Sequence, residues 1–173
     1  MILHIVRGLP GTGKTTFVQK QFKGMLQIEN DQYWIAPDGQ YVYGSRAGQG
    51  EPVKDPRKEC KDYVRNMVVA AMQNKVNIAV SRVNMSYESV KELVDLAKTF
   101  GYDFKIWIMS AENRHVFGHD VHQVPKDALK AMADNFEWHL PWVQTIVGLS
   151  LSENNPEIEY DFHELAGVAS SGG

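Results

Sequence analysis

Short apolar runs alternate along the chain with longer stretches of helical period. Ile2 to Val6 is an apolar, β-branched run, the pattern of a strand buried on both faces. A glycine-rich turn follows, and a helix is expected from Lys14, with Phe17, Val18 and Phe22 turned inward and Gly24 as its C-terminal residue. Met25 to Glu29 reads as a second, shorter strand. Residues 30 to 54 are polar and aromatic, and Gly39, Gly44, Gly48 and Gly50 break any period. From Asp55 to Lys75 the spacing of Val64, Met67, Val68 and Ala71 predicts a helix. Val76 to Ser81 is a third strand. Val90, Leu93, Val94 and Ala97 repeat the helical spacing between Ser86 and Phe100, where Gly101 ends it. Phe104 to Met109 gives a fourth strand. Pro125 opens a helix whose buried stripe is Leu129, Met132, Ala133 and Phe136, and Pro141 ends the pattern. Ile158 to Phe162 is read as a late fifth strand. Strands separated by helices imply right-handed crossovers and a mostly parallel sheet covered on both sides, a three-layer α/β fold.

Composition narrows the classes. At 173 residues, 43% of them hydrophobic, the chain is long enough for a proper core. The expected division is a main domain over 1–150 and a C-terminal extension over 151–173, with an edge strand and a small-residue tail. The single cysteine, Cys60, reads as an ordinary helix-face residue and suits a reducing, cytoplasmic setting. No apolar run approaches membrane-spanning length, and the apolar start stops at Arg7, too short for a signal-peptide core. A net charge of −3 argues against coating nucleic acid through bulk electrostatics, though not against a local basic pocket. Oligomeric state is left open.

One motif carries most of the chemistry. Gly8, Leu9, Pro10, Gly11, Thr12, Gly13, Lys14 and Thr15 fit G-x-x-x-x-G-K-[ST], the phosphate-binding loop, in the strand-then-helix context it requires. Its glycines let main-chain N–H groups wrap around phosphate oxygens, and the helix beginning at Lys14 adds its positive end. Lys14 is placed for the β- and γ-phosphates, the Thr15 hydroxyl for Mg²⁺, and Thr16 near the α-phosphate. Nucleoside triphosphate binding follows. The length excludes an oligomeric ATPase with a helical lid domain. Neither Asn-Lys-x-Asp nor a strand-ending Asp-x-x-Gly stands where a GTPase carries them, so a small phosphotransferase fits best.

Further stretches add a resemblance. They are Arg7 to Thr16, Glu29-Asn30-Asp31-Gln32-Tyr33, Ser81-Arg82-Val83-Asn84, Gly101-Tyr102 and His122-Gln123-Val124-Pro125. Over residues 1 to 138 the chain resembles the polynucleotide-kinase-like branch of P-loop kinases, which includes the phage polynucleotide kinase domain and small AAA-type ATP-binding proteins. The resemblance implies that Asp31 is the general base toward the acceptor hydroxyl; an aspartate there also suits a turn cap, but its place directly after a strand favours catalysis. The chain departs from the family at two places. Arg82-Val83-Asn84 stands where the family has Asp-Thr-Asn or Asn-Thr-Asn, and His119-Asp120 aligns with its lid Arg-Asn pair. Arg82, Arg114 and His119 are the candidate replacements for the missing lid arginine.

His115, His119 and His122 raise a metal reading, but no cysteine joins them, and a lid over the phosphates whose protonated imidazoles favour bound anion is the better account. The aromatics between Tyr33 and Arg46 suit either stacking on an acceptor base or a hairpin packed on the sheet. Trp138 and Trp142 read as core. The function expected is an ATP- and Mg²⁺-dependent kinase acting on a hydroxyl of a nucleic acid or nucleotide, either a 5′-hydroxyl end or a hydroxymethylated pyrimidine in phage DNA. Its catalytic set is Lys14, Asp31, Arg82 and His119, with Asp31, Tyr33, Asn84 and Arg114 toward the acceptor. The rivals are a catalytically weak nucleotide-binding regulatory module and a small-molecule or nucleotide kinase.

Overall fold

Five strands run parallel and a sixth closes one side antiparallel. A computed structural model describes residues 1–35, 38–39, 54–83, 86–110, 125–150 and 159–163. In chain order the elements are β1 (Ile2–Arg7), α1 (Lys14–Gln21), β2 (Leu26–Glu29), a 3₁₀ turn (Asn30–Trp34), α2 (Pro56–Gln73), β3 (Ile78–Arg82), α3 (Tyr87–Phe100), β4 (Asp103–Met109), α4 (Lys126–Asp134), β5 (Gln144–Ser150) and β6 (Glu159–His163). The sheet order is β2-β3-β1-β4-β5-β6. β1 lies at its centre, in parallel register with β3 (Ile5 opposite Val80) and with β4 (Ile5 opposite Ile106). Only β6 runs the other way, against β5.

Alternation along β1 divides the core in two. Leu3 and Ile5 join Ile78, Val80 and Ile106 beneath α2 and α3, whose Val64, Val68, Val90 and Val94 are buried there. Val6 faces the opposite side with Ala79, Trp107 and Met109, beneath Phe17 and Val18 of α1. Helix limits follow local chemistry. Asp55 caps α2 through Lys58 N–H, and Ser86 caps α3 through Ser89 N–H. Gly101 ends α3 in the left-handed conformation at φ +70°.

Four expectations are corrected. α1 stops at Gln21 with Phe22 as its cap residue, and Gly24, at φ +83°, forms the turn that follows. β3 begins at Ile78, since Asn77 is taken up in side-chain and backbone bonds to the starts of β1 and β2. α4 ends at Asp134 with none of its residues fully buried; Leu129, Met132 and Ala133 are half-buried, and Phe136 is buried from the connection beyond the helix. Residues 144–150, given no element from the sequence, form the fifth parallel strand, and the late strand over 159–163 is the sixth.

His4 is buried beneath α1, with its ring stacked on Phe22 at 4.2 Å between centroids and its Nδ1 accepting from Trp107 Nε1 at 2.9 Å. Burial and, after it, the charge of Lys105 push the His4 pKa from 6.5 down to about 4. The unfolded chain takes up this proton below pH 6.5 while the folded one resists it. Stability is therefore full above that value and is lost as pH falls toward 4, at no more than about 1.4 kcal/mol per pH unit. Thermal midpoints should drop between about pH 6.5 and pH 4.5 in the native protein and drop less steeply in His4→Gln. Equal slopes would show that other groups govern the acid limb.

Candidate active site

β1 ends at Arg7 in the middle of the sheet, where the chain turns into the phosphate loop. Gly8 has to be glycine: a Cβ there would lie 2.8 Å from Met109 Cβ and 2.8 Å from Thr12 Oγ1. Gly11 and Gly13 take left-handed conformations, at φ +75° and +83°, and Gly13 caps α1 with its carbonyl accepting from Phe17 N–H at 2.9 Å. Thr12 is buried and donates its hydroxyl to Leu9 O at 2.8 Å, cinching the turn. Lys14 Nζ donates to Gly8 O and Leu9 O, both at 2.9 Å, so the ammonium is held against the loop's own backbone. Thr15 is exposed and Thr16 half-buried in the first turn of α1, which carries no acidic side chain. The helix end thus keeps its positive potential for an anion. Gly8→Ala is expected to shift Thr12 and destabilise the fold by about 1–3 kcal/mol. Thermal melting and ATP titration check this, and a variant matching the native protein in both would show that Met109 and Thr12 yield freely.

Asp31 stands at the same end of the sheet, two strands away. The backbone leaves β2 into the 3₁₀ turn, which is fixed reciprocally: the Glu29 carboxylate accepts from Gln32 N–H, and Gln32 Oε1 accepts from Glu29 N–H at 3.2 Å. The capping role that an aspartate here suggests belongs to Glu29, and Asp31 sits half-buried inside the turn. Tyr33 donates its hydroxyl to Glu59 Oε2 at 2.5 Å and packs against Trp34 and Tyr63. Trp34 is core, 1% exposed.

Arg82 ends β3, between these two sites, and pairs in register with Arg7. Burial lowers its pKa from the ordinary guanidinium value, opposed by the Glu92 carboxylate of α3. Cys60, on α2, lies within electrostatic reach of Asp31, Arg82 and Glu59. Burial pushes its thiol up to about 11, and Sγ donates to Asn30 O at 3.7 Å, so it is a packing residue and no nucleophile. The structure thus brings Gly8 to Thr16 into one loop and gathers Asp31, Tyr33 and Arg82 at the neighbouring strand ends. Asn84, Arg114, His115, His119 and His122 lie outside the described residues, as does most of the aromatic segment after Ile35. Among the described residues no group of three or more His, Cys, Asp or Glu could hold a metal ion, and no helix is long and apolar enough to cross a membrane.

Two participants had no earlier role. Glu59 bonds Tyr33; its only signal was an acidic residue in the first turn of a helix. Arg7, which in the sequence only ends the apolar start and leads into the loop motif, is fully buried.

A glycine-rich phosphate loop at the end of the central strand of a 2-3-1-4-5 parallel sheet defines a P-loop protein of kinase-like fold. The model of a family described as an AAA domain matches residues 3–139, and the chain belongs to that family. Solved structures share the fold. A chain of the Pnkp1/Rnl/Hen1 RNA repair complex is 18% identical with a TM-score of 0.57, covering 78% of this chain and 43% of its own, so this chain spans less than half of that one. A gluconokinase from Sinorhizobium meliloti 1021 is 18% identical with a TM-score of 0.56, over 84% of this chain and 81% of its own. The APS kinase CysC of Mycobacterium tuberculosis, solved with AMPPNP and APS, is 13% identical with a TM-score of 0.53, over 87% and 89%.

Proposed function

We propose that the protein is an ATP-dependent kinase that phosphorylates a hydroxyl of a nucleic acid or nucleotide. The observation that carries this reading is the common siting of the phosphate loop and Asp31 at the carboxyl ends of β1 and β2, where a donor phosphate and an acceptor can meet. In the proposed reaction the loop amides and Lys14 hold the β- and γ-phosphates. Asp31 takes the proton of the acceptor hydroxyl, its oxygen forms a bond to the γ-phosphorus, the bond from that phosphorus to the β-phosphate oxygen breaks, and ADP leaves. Mg²⁺ suits the donor set: it accepts few protein ligands and takes phosphate oxygens and waters, and the exposed Thr15 hydroxyl at the loop's end would hold it. When bound, it would neutralise charge on the β- and γ-phosphates.

Arg82, half-buried and under the pull of Glu92 where the family carries a carboxylate, favours a second reading: a nucleotide-binding module with little transfer activity. A transfer assay with ATP labelled at the γ-phosphate separates the two. The acceptors are oligonucleotides with free 5′-hydroxyls, hydroxymethylated DNA, nucleosides, gluconate and adenosine phosphosulfate. Label on a nucleic acid or nucleoside supports the first reading, and label on gluconate or adenosine phosphosulfate makes the protein a small-molecule kinase. Tight ATP binding with label on none of them supports the module.

A further inference from the structure

Arg7 is an unusual residue to bury at the centre of a parallel sheet. Its side chain is 0% exposed, and its guanidinium carbon lies 4.5 Å from the centroid of the Phe136 ring. Nη2 donates to Glu137 O at 2.5 Å and Nη1 to Gln144 Oε1 at 3.2 Å. Gln144 Nε2 in turn donates to Trp138 O at 3.3 Å, and Glu137 Oε2 accepts from Tyr87 N–H at 2.7 Å, at the start of α3. One cation therefore ties the first residues after α4, from Phe136 to Trp138, to the start of β5. Burial pushes its pKa down to about 10, partly offset by Glu137, so the charge persists at neutral pH.

The next two residues of the chain are the first two of the phosphate loop. Leu9 packs its side chain with Ile108 and the same Phe136 ring, while Met132, Ala133 and Trp138 lie against that cluster. The carbonyl of Leu9 accepts from both Lys14 Nζ and Thr12 Oγ1. A polyphosphate that draws the Lys14 ammonium must change the bonding at Leu9, and Leu9 shares its packing with Phe136. A spacer here would not need a charge, since apolar replacements of buried charges are often neutral or stabilising.

Resting on the nucleotide-binding part of the proposed function, we propose that Arg7 is a positioning residue. It ties the phosphate loop to the α4–β5 connection through Phe136, Glu137 and Gln144, so that nucleotide bound at the loop is registered at Trp138. Arg7 itself touches no substrate. The coupling runs both ways: the connection, held in place, also sets the loop for phosphate.

ATP titrations followed by calorimetry and by tryptophan emission test this on the full chain. The native protein should bind ATP with a change in emission that disappears in Trp138→Phe. Arg7→Met, folded by circular dichroism, should bind about tenfold more weakly and lose the Trp138 response, with Arg7→Lys between the two. A folded Arg7→Met with native affinity and native response overturns the coupling and leaves Arg7 a packing residue. Should Arg7→Met not fold, Gln144→Leu removes one acceptor while keeping the guanidinium, and native behaviour of that variant in both readouts overturns the coupling equally. A native protein that takes up no ATP overturns the nucleotide reading and this inference with it. ATP uptake with a silent Trp138 overturns this inference alone.

Discussion

Lys14→Ala should weaken ATP binding by roughly 10- to 100-fold, the loss expected when a hydrogen-bonding cation is removed from a charged partner. The ammonium already donates to Gly8 O and Leu9 O at the loop mouth, so alanine there removes a donor without vacating a core position. The fold should hold, because the loop keeps its glycine conformations and its Thr12–Leu9 bond when the ammonium is removed. Calorimetric titration with ATP beside a thermal melt measures both quantities. Native affinity in the alanine variant would mean that the main-chain amides and the end of α1 bind phosphate unaided. Weaker binding with an unchanged melting midpoint is the outcome that the geometry requires.

Asp31→Asn should reduce phosphoryl transfer by about 10²- to 10⁴-fold, the range for loss of a general base, and leave ATP affinity close to native. The substitution keeps shape and polarity while removing the proton acceptor. The turn that carries residue 31 is fixed by the reciprocal bonds of Glu29 and Gln32, so it should survive the change. One strand, β3, lies between the β2 end that carries Asp31 and the loop, hence the expected independence of nucleotide affinity. Single-turnover transfer and ATP titration on the same preparation give the split. Turnover within a factor of a few of native would remove Asp31 from the chemistry, and a matching collapse of ATP affinity would make it a nucleotide contact.

The parts of the fold that local rules govern were plain in the chain. The phosphate loop declares itself because its glycines answer backbone needs, at Gly8 for space and at Gly11 and Gly13 for conformation. Ser86 and Gly101 bracket α3 for equally local reasons. β5 escaped notice because a strand next to a parallel neighbour is expected to be an apolar run, and this one opens with Gln144 and Thr145. The structure explains both: Gln144 bonds Arg7 and Trp138 O, and Thr145 is buried. Arg7 was hidden for the same reason. Its partners stand 129 to 137 positions away, and no spacing rule reaches that far. Asp31 could be singled out by its place after a strand, but that Glu29 does the capping emerged only from the bond geometry.

The two rims of the sheet have a consequence for how the molecule meets its own copies. Among the described residues one rim is β2, four residues long, and at the other the five-residue β6 has taken up the hydrogen bonds that the seven-residue β5 would otherwise present. Short rims offer little ladder for an intruding strand to extend, and natural sheets resist runaway pairing by such means. Among the described residues both rims are short, an arrangement that disfavours backbone pairing between copies of the chain.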